Sequence, residues 1–454
     1  MCGFLCCYWL SLVMAVSGLM LGVIGYSAIF LILFLVIRKQ LYVIPTLIIV
    51  PTAAALLAGF SPNELATFAE EGLQGIVAIT AMFAFAVWYF SIMRDSGLFD
   101  PFISRIVSSI IDKPALLTIG TVGLAMVTHL DGAGATTMLI TIPAMLPLYD
   151  ALDIDRKILA ALVALTAGTM NMVPWGGQVV RGVAAIDPAT ISNVFNPMIP
   201  AQAAGMLSVF GISAYYGRRI RENLDAVTAF DGVDEESLID DAVDGREVSV
   251  DWKWWFNFAL TIAVLGVLIA GITSPEVSFM IGVVIALLVN VPEYEKQKEV
   301  LESYAPDVMT YVGILFAAGV LIGVLEESGM ITEMANILVY LIPDVLGSQL
   351  PLIVAVVSLP ARLLFSPDAF YFGVLPVFAE TSAAYGHDPV AVVRASLVGQ
   401  TVGFPVSPFT GATYLLIGLA GVELGEHIKF TLPLMVIPSS IILVVALLLG
   451  AIPL

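Results

Sequence analysis

The sequence has few charged residues and almost no cysteine. Charged residues make up 12% of its 454 positions and apolar residues 59%, whereas about a quarter of a soluble domain is charged. The composition therefore excludes an ordinary soluble protein and predicts a membrane protein. Cysteine occurs only at Cys2, Cys6 and Cys7, so neither a disulfide framework nor a cysteine metal site is expected. Basic residues are scarce too, at 18 against 37 acidic ones, and no nucleic-acid partner is expected.

Long apolar runs make up much of the sequence. A helix needs about 20 predominantly apolar residues to cross a bilayer, and ten stretches are predicted to do so. They lie near residues 18–37, 41–58, 76–92, 157–187, 198–217, 254–272, 276–291, 308–325, 389–420 and 430–450. Two further apolar stretches, 114–150 and 349–385, are each too long for one crossing and are broken in the middle by polar residues.

The positions of lysine and arginine indicate how these stretches are threaded, because both residues gather in cytoplasmic loops. With the N-terminus outside, fifteen of the eighteen basic residues fall inside, provided that the two broken stretches are re-entrant hairpins. The other three are Arg181, Arg362 and Arg394; the last two are open to interpretation as interface anchors or as site residues. We therefore predict a multi-pass protein in the lipid bilayer of the cell membrane, with both termini outside.

The two halves of the chain resemble each other. FAFAVWYFSIMRDSGLF at 83–99 parallels FAAGVLIGVLEESGMI at 316–331. Each is followed by an amphipathic stretch, a predicted hairpin with an aspartate at its tip, and a helix interrupted by polar residues. Each half has five spans, so the second is inverted relative to the first. An inverted repeat with interrupted helices is typical of a secondary transporter whose site lies near the membrane midplane.

The predicted fold is an all-α polytopic membrane protein with two inverted five-span halves, each containing a re-entrant hairpin and a broken helix. Its predicted parts are an N-terminal extension at 1–17, a first repeat at 18–217, an acidic cytoplasmic connector at 218–253 and a second repeat at 254–454. The hairpins are expected at 114–150 and 349–385, and the broken helices at 157–187 and 389–420.

The stretch THLDGAGATT at 128–137 carries a carboxylate, Asp131, at the tip of the first hairpin. Irregular backbone at membrane depth is tolerated only where protein or a watery cavity satisfies it, and an ionisable group there is a functional hypothesis. The neighbouring Gly132 allows a positive φ and close approach of a ligand. Thr136 and Thr137 add hydroxyl groups, and the helix that begins near them offers free N–H groups to an anion.

A second helix end is predicted at Gly176 and Gly177, where NMVPWGGQ interrupts the first broken helix. Arg181 follows about one turn later, where it would offset anionic charge, and Trp175 is interpreted as a wall of the site. His129, in the first hairpin tip, is open to two interpretations, a proton relay or a structural cap of the hairpin. Each half thus has two breaks, a hairpin tip and a helix interruption, at corresponding places. This pairing favours a binding site over isolated helix kinks.

At these residues the sequence resembles the citrate-metal:proton symporter (CitMHS) family of the ion transporter superfamily. The resemblance runs from about Met20 to the C-terminus. It is carried by LDGAGATT, PAMLPLYDALDID, TMNMVPWGG with Arg181, FNPMIPAQ, DAFYFGVLPVFAE with AAYG, and ATYLLIGLAGVELGEHIKFTLP. It implies a homodimeric, proton-driven importer of citrate complexed with a divalent cation such as magnesium or calcium, with a transport domain that slides like an elevator. The cation is then a co-substrate, and neither a cofactor nor an enzymatic activity is implied.

Three positions depart from the family's pattern. Ala133 stands where the family commonly has a second aspartate, and Gln178 follows the glycine pair where the family has proline. The segment TVGFPVSPFTGA after Gln400 lacks the family's histidine. All three departures lie at the predicted hairpin tip and helix breaks, where they bear on which cation and which carboxylate are carried.

Following this resemblance, citrate and its cation are expected between the two hairpin tips and the two helix breaks. The expected substrate-binding residues are Asp131, Gly132, Thr136, Thr137, Asn171, Trp175, Gly176, Gly177, Arg181, Ser366, Asp368, Ser407 and Thr410. Oxygens of Asp131, Asp368 and Asn171 would bind the cation. Burial favours the neutral form of a carboxyl group, so Asp131 and Asp368 would load a proton outside and release it inside.

Other functions remain open. A sodium-coupled di- or tricarboxylate transporter of the same superfamily would need sodium and no divalent cation. An intramembrane aspartyl protease would use two aspartates at membrane depth as an acid/base dyad, but HLDGAGA lacks the Gly-x-Gly-Asp pattern of such enzymes. Paired broken helices favour alternating access over a channel.

Overall fold

The computed structural model describes residues 2–38, 40–112, 116–221, 239, 243 and 246–453. Regular secondary structure in these residues is helical throughout, which confirms the prediction of an all-α polytopic protein. Most of the predicted connector, and the first residues of the predicted hairpin at 114–150, lie outside the described residues. The first helix begins at Cys2, so the described part of the predicted extension is continuous with that helix.

Twenty α-helices lie in the described parts of the chain. Those of the first half are α1 (Cys2–Ile37), α2 (Val43–Ala58), α3 (Pro62–Asp95), α4 (Asp100–Asp112), α5 (Leu117–Thr128), α6 (Gly134–Ala151), α7 (Arg156–Met170), α8 (Gly177–Ala185), α9 (Ile191–Phe195) and α10 (Ile199–Arg221). Those of the second half are α11 (Trp252–Ile269), α12 (Pro275–Asn290), α13 (Tyr294–Glu327), α14 (Met330–Leu341), α15 (Asp344–Gly347), α16 (Leu350–Ala361), α17 (Leu375–Ala384), α18 (Pro389–Gln400), α19 (Gly411–Ala420) and α20 (Leu424–Leu448). A π-helix, Ala369–Val374, precedes α17, and 3-10 turns lie at His129–Asp131, Asn196–Met198 and Phe404–Val406.

The order of elements is the same in both halves. Two helices lead to a 34-residue helix, α3 in the first half and α13 in the second. An amphipathic helix follows, 13 residues long in α4 and 12 in α14. Next come a hairpin, a helix broken in the middle and a final helix. The short helices α9 and α15 stand outside this common order, and the division of the chain at the connector and the inversion of the second half stay predictions.

The two broken helices begin in the same way. An aspartate carboxylate in front of each accepts a hydrogen bond from a first-turn N–H group, as an N-cap residue does. Asp155 accepts from the N–H of Lys157 at 2.9 Å, at the start of α7. Asp388 accepts from the N–H of Val390 at 3.0 Å, at the start of α18. These caps fix where each broken helix starts.

Six helices among the described residues are long and apolar enough to cross a membrane. They lie at Gly18–Val36, Pro62–Asp95, Ile191–Ile220, Trp252–Ile269, Val308–Glu327 and Leu424–Leu448, and each coincides with a predicted span. Of the other four predicted spans, two are the broken helices. The remaining two, α2 and α12, have 16 residues each and are about 24 Å long, which is shorter than the hydrocarbon core of about 30 Å.

The two 34-residue helices pack on each other through glycine. A Cβ atom added at Gly72 of α3 would collide with the backbone of Gly319 and Gly323 of α13. Gly319 and Gly323 are four residues apart, the small-xxx-small spacing that lets membrane helices approach closely. This crossing joins the first half of the chain to the second.

Each hairpin meets the broken helix of the opposite half. At the tip of the first hairpin, a Cβ atom on Gly134 would lie 2.7 Å from the ring of Phe404 and 3.1 Å from Ala412, both in the second break. At the tip of the second hairpin, Asp368 pairs with Arg181 of α8. The two tips and the two breaks therefore lie against one another.

Candidate functional site

A cavity of about 480 Å³ lies where the hairpin tips and helix breaks meet. It is lined by both tips, both breaks and both 34-residue helices. A smaller cavity of about 320 Å³ lies beside the end of α3, where Arg246 pairs with Asp100 at 2.9 Å. Among the described residues, neither hairpin tip nor either break lines that smaller cavity. The larger cavity is thus the candidate site.

The first hairpin tip is shaped by Asp131 and Gly132. One carboxylate oxygen of Asp131 accepts a hydrogen bond from the N–H of Ala133 at 2.7 Å. Gly132 has a φ of 74°, and a Cβ atom there would lie 2.9 Å from Cδ1 of Trp175. The indole N–H of Trp175 donates to the carbonyl of Leu130 at 3.0 Å. Glycine is therefore required at 132, and Trp175 fixes the first break against the tip.

His129 and Thr137 bind each other inside the first hairpin. His129 Nδ1 and Thr137 Oγ1 are 2.7 Å apart, and both side chains are fully buried. The imidazole ring also stacks on Phe404, with ring centroids 6.0 Å apart. This geometry matches the structural-cap interpretation of His129, and it commits the hydroxyl of Thr137 to the hairpin.

Three helices present their N-termini to the cavity. They are α6, α8 and α19, which begin at Gly134, Gly177 and Gly411, residues that line it. In none of the three does the residue before the helix cap it with a side-chain hydrogen bond. The first-turn N–H groups of a helix have no partner within the helix, and together with the helix dipole they attract anions. The cavity wall therefore offers hydrogen-bond donors at three helix ends.

Arg181 and Asp368 form an ion pair between the halves of the chain. Arg181 Nε donates to Asp368 Oδ1 at 2.6 Å, and the two side chains are 11% and 13% exposed. Arg181 also donates to the carbonyl of Gly177 at 2.9 Å, at the start of the same helix. Arg181 lines the cavity, whereas Asp368 stands behind it.

Arg362 is the most deeply buried of the arginines that line the cavity. It directly follows α16 and is 1% exposed. Its guanidinium donates to Oε1 of Gln400 at 3.4 Å and to Oγ1 of Thr410 at 3.0 Å. Arg362, which the sequence left open as an interface anchor or a site residue, therefore lines the candidate cavity and lies away from the surface. Arg394, the other open case, does not line the cavity.

Arg94 reaches the cavity from the last turn of α3. Its guanidinium donates to Oγ1 of Thr136 at 3.2 Å and to the hydroxyl of Tyr304 at 3.3 Å. Tyr304 in turn donates to Asp95. The charge count assigned Arg94 to a cytoplasmic loop, but α3 continues beyond the apolar run 76–92 and carries this arginine against the first hairpin tip.

Eight of the thirteen predicted site residues line the cavity: Asp131, Gly132, Thr136, Asn171, Trp175, Gly177, Arg181 and Thr410. The other five lie next to it. Thr137 and Asp368 are committed to His129 and Arg181. Ser366 accepts from the N–H of Ala369, and Ser407 donates to the carbonyl of Arg362. Gly176 is buried where the first break turns into α8.

The sequence did not assign six polar residues of the described cavity wall to the site: Ser91, Arg94, Gln178, Tyr304, Tyr311 and Arg362, the last of which it left open. Gln178 follows the glycine pair and was noted only as a departure from a family pattern. Tyr304 and Tyr311 lie in α13, which continues as one helix through Pro306. Arg362 carried a signal of a site in the sequence, because it is an arginine inside an otherwise apolar stretch.

Comparison with known proteins identifies relatives over nearly the whole chain. The family model for citrate transporters, CitMHS, matches residues 19–399. A citrate transporter of Bacillus subtilis (strain 168) is 39% identical over 437 residues, which cover 95% of this chain and 100% of that protein. A second protein of that strain, the Mg(2+)/citrate complex secondary transporter, is 37% identical over 439 residues, 95% of this chain and 99% of that protein.

The fold is also similar to that of a solved transporter. The crystal structure of the Alcanivorax borkumensis YdaH transporter superposes with a TM-score of 0.59 and covers 86% of this chain and 88% of that one. Sequence identity between the two is 17%. At that identity the likeness establishes a shared fold and says nothing about the transported compound.

Proposed function

This chain belongs to the citrate transporter family CitMHS, and from that premise we propose that it is a secondary transporter that carries citrate, complexed with a divalent cation, across the membrane. Membership of this family confirms the expectation of a membrane transporter rather than an enzyme. The observation that carries the proposal is the cavity, in which three arginines and three uncapped helix N-termini converge at both hairpin tips and both helix breaks.

The charge of the cavity wall suits an anion. Among the described residues, Arg94, Arg181 and Arg362 line it, against one lining carboxylate, Asp131. Arginine presents a planar set of N–H groups that fits a carboxylate with two parallel hydrogen bonds. The free N–H groups at the starts of α6, α8 and α19 add hydrogen-bond donors without adding charged side chains. A small molecule with several carboxylates would therefore find donors on several sides of the cavity.

A bound cation makes such a molecule easier to carry. A citrate trianion with one divalent cation keeps one negative charge, and transferring one charge out of water costs far less than transferring three. The cation arrives already bound to oxygens of the substrate, so the protein needs to add few ligands. Asp131 and Asn171 line the cavity and supply the hard oxygens that magnesium and calcium prefer. Asp368 is paired with Arg181 behind the cavity wall, so its charge acts on the cation from a distance and not as a ligand.

Proton coupling is proposed to use Asp131, the carboxylate that lines the cavity. Removal of water from around Asp131 when the site closes would favour its neutral form, and contact with water on the other side of the membrane would favour release of the proton. Elevator movement, a homodimer and termini on the outer face are further parts of the proposal. They follow from the family resemblance and from the distribution of basic residues.

The proposal is tested by uptake of radiolabelled citrate into proteoliposomes. We expect uptake with magnesium or calcium under an inward proton gradient, and at least about a tenfold loss when a chelator removes the cation, because the bare trianion must then be desolvated. A protonophore is expected to abolish accumulation, and replacing sodium by choline is expected to change nothing. Uptake that survives chelation but requires sodium would contradict the proposal and favour a sodium-coupled carboxylate carrier.

A further inference from the structure

Arg362 is buried, and the charges of Arg181 and Asp368 lie close enough to act on it. Its two hydrogen-bond acceptors, Gln400 and Thr410, carry no charge, and its Nε atom has no hydrogen-bond partner among the described residues. Among the described residues, no aspartate or glutamate forms an ion pair with it. The guanidinium remains charged at any physiological pH. The described chain therefore places no carboxylate in direct contact with this buried positive charge, and Asp368, whose charge also acts on Arg362, is paired with Arg181.

The other two arginines of the cavity differ in this respect. Arg181 is paired with Asp368 at 2.6 Å. Arg94 lies 3.6 Å from a carboxylate oxygen of Asp95. An anion that enters the cavity would compete with Asp368 and Asp95 for these two arginines, but would meet no competing carboxylate at Arg362.

The guanidinium of Arg362 is held in place before any ligand arrives. Gln400, which accepts from it, is itself fixed because its amide donates to the carbonyl of Ser358 at 2.8 Å. The hydroxyl of Ser407 donates to the backbone carbonyl of Arg362 at 2.9 Å. A Cβ atom on Gly403 would lie 3.2 Å from Cγ of Arg362, so the second helix break packs against the arginine stem. A fixed guanidinium loses little conformational entropy when it binds.

The corresponding residue of the first half has a different role. His129 and Arg362 each follow a 12-residue helix at the tip of their hairpin, and both are buried. His129 is bound to Thr137 within its own hairpin, whereas Arg362 lines the cavity. The two halves therefore differ at this position, where only the second half places a permanent charge against the cavity.

We infer that Arg362 binds a carboxylate of the transported anion as its counter-ion, and that the carboxylate is one the divalent cation leaves free. Burying a charge costs free energy until the charge is paired and hydrogen-bonded. A bound anion would remove this cost at Arg362, which the protein without ligand carries. The inference rests on the proposed function, and it assigns to the second hairpin the recognition of the carboxylate.

The test compares Arg362→Met and Arg362→Lys with the wild type, and uses Arg394→Met as the matched control. Arg394 lies in the same half and is also mostly buried, at 13% exposed, but it binds Asp388 and the carbonyl of Asn193 outside the cavity. We expect R362M to raise the KM for magnesium citrate at least about 30-fold, R362K to raise it less, and R394M to leave it within about threefold.

A second readout separates binding from folding. Magnesium citrate is expected to raise the thermal unfolding temperature of the wild type and of R394M, and to lose this effect in R362M. Without ligand, R362M is expected to unfold at the wild-type temperature or above it, since it lacks the unpaired charge. A KM and a ligand-induced stabilisation in R362M that equal those of the wild type would overturn the inference.

Failure of the proposed function gives a different result. In that case magnesium citrate neither enters proteoliposomes nor stabilises the wild type. The same stabilisation assay is then run with succinate, malate and tricarballylate, each with and without magnesium. Stabilisation of the wild type but not of R362M by one of these anions supports the role of Arg362 for another carboxylate. Equal behaviour of both proteins toward all of them overturns it.

Discussion

Arg181 and Asp368 show how the charges of the site are balanced between the two halves of the chain. Arg181 comes from a helix of the first half and Asp368 from the hairpin of the second, and their side chains are 11% and 13% exposed. A pair of this kind stabilises little relative to an apolar pair, but removing one partner leaves the other buried and unpaired. The ion pair therefore acts as a specific contact between the halves.

Replacing both partners is expected to cost less stability than the sum of the two single replacements. Asp368→Asn and Arg181→Gln should each lower stability by about 2 kcal/mol, less than for a fully buried pair because both side chains keep some exposure to water. The double variant should recover at least about 1 kcal/mol relative to the sum of the two. Thermal unfolding of the purified variants in detergent measures this coupling. Strict additivity of the two losses would show that the pair does not act as a unit.

Cavity residues with an unusual sequence context could be predicted from the sequence, and the other cavity residues could not. Asp131 and Arg181 are charges in apolar runs, and both line the cavity. Ser407 and Thr137 looked equally suitable, but their hydroxyl groups are used within the protein. Which hydroxyl faces the cavity depends on rotation about a helix axis and on tertiary partners, and neither is readable from a motif.

At the scale of helices, the crossing of α3 and α13 joins the two halves. Membrane helices gain little from apolar contact alone, because lipid is as apolar as the side chains, and they associate closely where small residues allow the backbones to touch. Gly72, Gly319 and Gly323 provide that contact. The sequence shows these glycines, but it does not show which other helix they face.

Two glycines of α3 allow the effect of helix packing on stability to be measured apart from the effect of helix propensity. A Cβ atom at Gly72 would collide with backbone atoms of α13, which cannot move away as a side chain can. Apart from the helix itself, no atom of the described residues lies within 4 Å of a Cβ atom at Gly75. We expect Gly72→Ala to lower stability by about 1–3 kcal/mol. Gly75→Ala should be neutral or should raise stability by up to about 1 kcal/mol, since alanine is the better helix former. Equal thermal unfolding temperatures of the two variants would contradict the crossing.

Element boundaries were more predictable than element roles. The predicted breaks at 171–178 and 403–412 coincide with the ends of the helix pieces at Met170 and Gly177 and at Gln400 and Gly411. Proline, glycine and asparagine interrupt helices for local reasons, so these breaks are visible in sequence. The part of α3 and α13 in the cavity wall was not predictable in this way, because both helices continue without interruption, α13 even through Pro306.

At the scale of the whole molecule, the two halves complete one site that neither could form alone. Each hairpin tip lies against the broken helix of the opposite half, and both 34-residue helices line the cavity between them. Three arginines and three helix N-termini then face one space. Membership of the citrate transporter family accounts for this concentration of donors, since a polycarboxylate needs partners on several sides.

The central claim is that this cavity binds citrate together with its cation, and equilibrium binding tests it most directly. Citrate is titrated calorimetrically into the purified protein with magnesium and again with a chelator, for the wild type and for Asp131→Asn. The account predicts saturable binding to the wild type only with magnesium, and at least about tenfold weaker binding to D131N, which loses a charged ligand of the cation. Equal citrate affinity with and without magnesium, or wild-type affinity in D131N, would contradict it.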